Sequence, residues 1–259
     1  MKYALITGAS SGIGLELAKV FAEHKHNLIL VARSVDKLEK LKSELESKYQ
    51  IKAEVIPADL SVSGASQKLY ETVQKRNLAV DILVNNAGFG DYGSFIDSEL
   101  GKQEEMIQVN ITALTALTKL FLPAMIAGKS GKIMNVASTA AFQPGPLMTV
   151  YYATKAYVLF FSEGLTEELK NTGVTVTALC PGPTSSNFQS AANIKDVPFM
   201  TQMKIPTSQD VAIYAYKALM CGTPVAVHGT FNKFGTMSVR MVPRSWARKL
   251  VMKLQEKRH

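Results

Sequence analysis

The sequence predicts an α/β fold: a single doubly wound parallel sheet of about seven strands with helices on both faces. Three observations carry that expectation. Apolar runs of strand length alternate with segments of helical period from one end of the chain to the other. The first two of them, Ala4–Ile6 and Leu28–Ala32, are uninterrupted, the mark of strands buried on both faces. The first of them ends in a glycine turn that opens a helix.

In chain order, Ala4–Ile6 is a buried strand that stops at Thr7-Gly8, and Ile13, Leu17, Val20 and Phe21 follow at helical spacing. Asn27–Ala32 is a second strand, ending at Arg33. Ser34 is the expected N-cap of a helix through about Lys48, whose Leu38, Leu41 and Leu45 share a face. A third strand near Lys52–Pro57 leads to Ala58-Asp59-Leu60, and a helix covers Ser66–Lys75. A fourth strand, Asp81–Val84, closes on Asn85-Asn86-Ala87-Gly88. The helix around Glu104–Ile126 is long and apolar, with Asn110 inside it. Lys132–Ala137 is a fifth strand ending at Ser138, Tyr151–Leu169 a helix, and Val174–Leu179 a sixth strand running into Pro181-Gly182. Thr184–Pro206 has no periodicity, and a loop of that length inside a compact domain is a lid or binding loop. A helix at Ser208–Met220 and a strand at Val225–Val227 complete the sheet. With no repeat or linker, residues 1–259 are expected to form one domain. Within it, 184–206 is the expected substrate lid and 232–259 a basic C-terminal extension.

A chain of 259 residues with 47% hydrophobic and 19% charged side chains has the composition of a globular protein with a substantial core. Cys180 and Cys221 fit neither a disulfide framework nor a metal cluster, and His24, His26, His228 and His259 are scattered, so no metal site is expected. Met1-Lys2 runs straight into the first strand, and no apolar run reaches the ~18–20 residues of a spanning helix. A cytoplasmic protein is expected. Of the net charge of +8, +7 falls between Asn232 and His259, where eight Lys/Arg face Glu256 alone. Basicity confined to a tail argues against a nucleic-acid footprint over the domain.

The chemistry begins at the glycine turn. A helix N-terminus presents unpaired N–H groups and a positive dipole, a ready site for an anion such as a dinucleotide pyrophosphate. Gly8 permits the tight turn, Gly12 lets a phosphate approach the backbone, and Gly14 lets helix pack on strand. Ser10, Ser11 and Ile13 complete that loop. At the end of the second strand, where a carboxylate would take the 2′-hydroxyl of NAD, stands Arg33, followed by Ser34; an arginine there accommodates the 2′-phosphate of NADP. Tyr151 and Lys155 lie four residues apart on one helix face. An ammonium beside a phenol favours phenolate, so Lys155 is expected to lower the Tyr151 pKa and make it a usable acid/base. Tyr152 points to another side.

Together these residues resemble the classical short-chain dehydrogenase/reductase family, in its NADP-preferring branch, over nearly the whole chain. The motifs stand in the family's order: Thr7-Gly8-x3-Gly12-Ile13-Gly14, Asn85-Asn86-Ala87-Gly88, Ser138, Tyr151-x3-Lys155 and Pro181-Gly182. The resemblance implies a Rossmann-type sheet and an NADP(H)-dependent oxidoreductase acting on a carbonyl or alcohol. It implies that Tyr151 exchanges a proton with the substrate oxygen, that Ser138 orients that oxygen, and that Lys155 holds the nicotinamide ribose and tunes Tyr151. Asn110 matches the position that anchors a water relaying protons to the lysine. Asp59 matches the adenine contact with Leu60 beside it, and Asn86, Ala87 and Gly88 line the adenosine side. Pro181, Gly182, Thr184 and Ser186 flank the nicotinamide. Thr184 and Ser186 replace the family's usual valine and threonine, and no basic residue stands at Ser11, so the NADP expectation rests on Arg33 and Ser34.

Phe142, Pro144, Met148, Phe188, Phe199, Met200 and Met203 are placed to line an apolar substrate side, which suits a small hydrophobic ketone or alcohol. In the tail, Trp246, Ala247, Leu250, Val251 and Leu254 recur at helical spacing with basic residues off that stripe. Such a helix either lies on an anionic membrane surface or packs on the domain or a second subunit. It is expected to serve association rather than the chemical step, in a homo-oligomer. The rival reading is a non-catalytic NADP(H)-sensing protein on the same fold.

Overall fold

The computed structural model describes residues 1–185 and 205–256, the Arg240 side chain excepted. Its centre is a sheet of strands β1 (Lys2–Thr7), β2 (Asn27–Ala32), β3 (Ala53–Pro57), β4 (Ala79–Asn85), β5 (Gly131–Val136), β6 (Val174–Cys180) and β7 (Val225–Val227). All neighbours run parallel, in the order β3-β2-β1-β4-β5-β6-β7. The chain winds outward from β1 in one direction, then crosses to β4 and winds in the other. At that switch point the carboxyl ends of the strands diverge and leave a crevice.

Helices α1 (Gly12–Glu23), α2 (Val35–Tyr49), α3 (Ala65–Lys75), α4 (Leu100–Ile107), α5 (Leu114–Ala127), α6 (Thr149–Glu168), α7 (Ser208–Met220), α8 (Thr230–Ser238) and α9 (Arg244–Gln255) cover it. Side chains alternate across a strand, and the core divides accordingly. Ala4 and Ile6 of β1 pack with Leu17 and Phe21 of α1, Leu38 of α2 and Val211 of α7. Tyr3 and Leu5 point the other way, to Leu69 of α3 and Leu117 and Phe121 of α5. Each fully buried Leu or Phe contributes about 1.5–3 kcal/mol, so the continuous apolar runs are what hold the strand ends in place.

Two elements depart from expectation. Leu100–Ala127 forms one 28-residue helical run with a mean hydropathy of 1.5, long and apolar enough by length and composition to cross a membrane. It starts one turn before the long apolar helix expected around Glu104–Ile126 and, counted through its polar residues, passes the length that no uninterrupted apolar run reaches. Its Leu114, Leu117, Phe121 and Met125 are buried, and α5 packs against the sheet. Between α4 and α5 the helix widens into a π-helical stretch, Gln108–Ala113, which carries Asn110. Helix α8 has no counterpart in the sequence reading, because its large apolar side chains face outward. Ser34 occupies the N-cap position of α2 without a side-chain capping bond.

Candidate active site

A cleft of about 1250 Å³ opens over the carboxyl ends of the strands and extends to α8 and α9. At its cofactor end the β1–α1 turn is held by two left-handed glycines, Gly8 (φ +67°) and Gly12 (φ +57°). Gly8, Ser10, Ser11, Gly12 and Ile13 line the cleft. Gly14 lies beneath the turn, where a Cβ would run into the Gly8 carbonyl oxygen and the Asn86 amide. Gly14 therefore belongs to helix packing and not to the wall.

The same turn is tied to β4. Backbone N–H groups of Asn86 and Ala87 both donate to Thr7 Oγ1 at 3.0 Å, and Asn86 Nδ2 donates to the Thr7 carbonyl at 2.9 Å. The Asn86 side chain is thus committed to β1, while Asn86, Ala87 and Gly88 present their remaining surface to the cleft. Arg33, Ser34, Asp59 and Leu60 line its far end. Asp59 Oδ1 accepts from Ser61 N (3.0 Å) and Ser61 Oγ (2.8 Å). These bonds, with a contribution from the Arg33 charge, hold its carboxyl below the ordinary range.

At the other end α6 carries Tyr151 and Lys155, and the turn after β5 carries Ser138, all three on the cleft wall. Ser138 Oγ accepts from Ala140 N at 3.1 Å. Lys155 is 5% exposed and its Nζ donates to the Val136 carbonyl at 2.7 Å. It lies 5.8 Å from the centroid of the Tyr151 ring. Burial, not the lysine, governs the phenol: Tyr151 is pushed above the ordinary tyrosine value, with a hydrogen bond from Ser138 acting in the opposite direction. The expectation that Lys155 lowers the Tyr151 pKa is therefore not met in this state. The same desolvation pulls Lys155 down to about 8. Enclosure disfavours whichever form is charged, and the ammonium is turned to a backbone carbonyl instead of the phenol.

Asn110 is 1% exposed and sits behind the wall. Its amide receives Phe89 N–H (3.1 Å) and donates to the Phe89 carbonyl and Thr154 Oγ1, both at 3.0 Å. Thr154 in turn donates to the Tyr151 carbonyl at 2.7 Å. A Cβ on Gly88 would stand 2.9 Å from Asn110 Oδ1 and 3.4 Å from Lys155 Nζ. Asn110 thus pins the loop after β4 against α6 beside the lysine. Its π-helical setting is the kind of local widening that recurs at functional sites.

Pro181, Gly182 and Thr184 line the opposite wall, where Thr184 Oγ1 donates to the Gly182 carbonyl at 2.9 Å. Ser186, Phe188, Phe199, Met200 and Met203 lie outside the described residues, as does most of the expected lid. The two described ends of that segment meet: Ser185 N donates to the Pro206 carbonyl at 2.9 Å.

On the substrate side Phe142 and Met148 line the cleft and Pro144 does not. Phe89, Tyr92, Tyr152, Phe231, Leu250 and Leu254 join them. Gln255 at the end of α9 is the fastener: Tyr92 OH donates to its carbonyl and its Nε2 donates to Tyr152 OH, each at 2.6 Å. Tyr152 accordingly faces the cleft, and α9 is part of its wall. The sequence reading set Tyr152 on another side from Lys155 and left domain packing open for the tail; the structure adds that Tyr152 lines the cleft and that α9 packs beside it.

A profile described as short chain dehydrogenase matches residues 2–196 of the chain. The chain belongs to that family. Its sequence is 34% identical over 189 residues to a human very-long-chain 3-oxoacyl-CoA reductase, covering 70% of this chain and 58% of that protein. The chain thus spans 58% of the length of that curated relative. Among solved structures it is similar to a short-chain dehydrogenase from Sphingobium yanoikuyae in complex with NADPH (TM-score 0.83, 31% identity, 93% of this chain and 94% of that one). It is also similar to the bulky-bulky ketone specific alcohol dehydrogenase from Comamonas testosteroni (TM-score 0.79, 31% identity, 93% and 92%).

Within this short-chain dehydrogenase fold, the residues that the sequence reading missed come from α8, α9 and the loop after β4. Stripe spacing in the tail shows a helix with an apolar face but not the surface that receives it. Gln255 carried no sequence signal of any kind.

Proposed function

We propose that the protein is an NADP(H)-dependent oxidoreductase that interconverts a carbonyl and an alcohol on a hydrophobic substrate. One observation carries this reading. A buried tyrosine, hydrogen-bonded by Ser138 and one helical turn from a buried lysine, stands in the same cleft as an anion-binding glycine turn and an arginine. The donor set fits the cofactor. The left-handed Gly8–Gly12 turn and the α1 N-terminus suit its pyrophosphate, Arg33 its 2′-phosphate, and Lys155 its nicotinamide ribose. NADP(H), when bound, supplies or accepts the hydride.

The chain's own residues handle the proton. Burial keeps the Tyr151 phenol protonated across the neutral range, so it is suited to donate to a carbonyl oxygen, and Ser138 hydrogen-bonds the same oxygen. Apolar walls from Phe89, Phe142, Met148 and Leu250 receive the body of the substrate. The names of the relatives make 3-oxoacyl thioesters and bulky ketones the first compounds to try.

The test is loss of NADPH absorbance with 3-oxoacyl-CoA esters of graded chain length and with ketones of graded bulk. Turnover that rises with apolar size, faster with NADPH than with NADH, is expected. NADPH binding without oxidation of cofactor by any member of the panel would favour the NADP(H)-sensing reading instead.

A further inference from the structure

We propose that α8 and α9 form a docking surface for an anionic lipid bilayer, placed at the mouth of the substrate side of the cleft. Along α8 and the turn that follows it, Phe231, Phe234, Met237 and Met241 recur every three to four residues and are all exposed, Phe234 at 76%. In α9 the exposed apolar residues are Trp246 (68%), Leu250 and Leu254, again one stripe. At about 100° per residue, the surface of α9 falls into three adjoining strips. Ala247 and Val251 are buried against the domain, Trp246, Leu250 and Leu254 stand beside them in the open, and Lys249 and Lys253 flank the open stripe. An amphipathic helix docked on a domain needs only its first strip. The second is apolar surface in excess of what intramolecular packing uses.

Charge selects the occupant. Between Asn232 and His259 the net charge is +7, against about +1 for the rest of the chain. A two-fold contact between copies of this surface would set +7 against +7. A nucleic acid would pair with the lysines but leave the Phe, Met and Trp side chains in water. An anionic bilayer satisfies both at once, with apolar side chains at the acyl boundary and lysines at the headgroups. The location adds a reason. Phe231, Leu250 and Leu254 belong both to the exposed patch and to the lining of the cleft, so apolar surface is continuous from the bilayer side into the substrate end.

Co-sedimentation of the full chain with phosphatidylcholine vesicles, with and without phosphatidylserine, tests this without requiring turnover, so it stands or falls separately from the oxidoreductase reading. Binding only to the phosphatidylserine vesicles, weakened by added salt, is expected. The pair Lys249→Glu/Lys253→Glu and the pair Phe234→Ser/Trp246→Ala should each lower vesicle affinity by about tenfold or more. All four positions are exposed, and NADPH binding serves as the folding control for both pairs. The proposal is overturned if the wild type stays in the supernatant or if both folded variants sediment as the wild type does. It is equally overturned if Phe234→Ser/Trp246→Ala splits an oligomer while leaving vesicle binding unchanged.

Discussion

On the cofactor side of the cleft, each wall residue stands within a few positions of a strand's carboxyl end: Gly8 after β1, Arg33 after β2, Asp59 after β3 and Asn86 after β4. On the substrate side, Tyr92 and Gln255 meet across 163 positions, and Tyr152 and Gln255 across 103. The first wall is an edge of the sheet itself, stiffened by backbone hydrogen bonds and by the Thr7–Asn86 ties between β1 and β4. The second is assembled by a few side-chain contacts between a loop, α6 and α9. A rigid half suits a ligand that a whole family shares, and a half held by few contacts is free to differ in what it admits.

The largest expected effect lies where the halves meet. Tyr151→Phe keeps the ring and its packing but removes the proposed proton donor, so turnover should fall by about 10²–10⁴-fold while NADPH affinity is unchanged. A parallel loss of NADPH affinity in a fluorescence titration would show that the two halves are not separable at this residue. Retained turnover would end the proton-transfer assignment.

Arg33→Ala sharpens the cofactor half. Charge-assisted hydrogen bonds contribute ~1.5–3 kcal/mol, so NADPH should weaken by roughly tenfold to a hundredfold and NADH hardly at all, with substrate KM unchanged. Equal affinities for the two cofactors in the wild type would defeat the NADP assignment.

Lys155 allows a test through stability. Its folded value of about 8 lies below the ordinary lysine value of 10.5, so between those pH values the unfolded chain binds more protons than the folded one. Stability of the cofactor-free protein should therefore rise with pH across that window. The burial cost is fully present below pH 8 and gone above 10.5. Relative to Lys155→Met, the wild type should gain roughly 2 kcal/mol between about pH 7 and 9.5 in urea unfolding. A flat difference would mean that the ammonium is better solvated than its enclosure implies.

The smallest effect belongs to the fastener. Gln255→Ala removes one side-chain hydrogen bond, worth about 1 kcal/mol, and should raise substrate KM about fivefold with NADPH affinity intact. Tyr152→Phe should do the same, since it removes the other partner. A fall in NADPH affinity in either variant would break the division between the halves.

All the cofactor residues the sequence reading named around the glycine turn and the ends of β2, β3 and β4, Gly14 apart, line one end of the cleft, because their signals are local. An apolar run ending in glycine marks β1 and its turn, and the residue following each such run is the residue at the crevice. Gly14, expected to let helix pack on strand, is enclosed by Gly8 and Asn86 and fills no part of the wall. Asn110 shows a limit of that logic, since nothing within a few residues of it marks the π-helical stretch Gln108–Ala113 that carries it.

By itself the sequence determined the strand order's raw material, the glycine turn, Arg33 at the second strand end and the Tyr151–Lys155 spacing, because each depends on neighbours within a few residues. The tertiary structure alone decided that burial overrides the lysine in setting the Tyr151 phenol, that Tyr152 faces the cleft, and that α9 closes its substrate end. Desolvation and side-chain contact depend on which distant segments share a surface, and a periodic stripe specifies that a face will be covered without specifying by what.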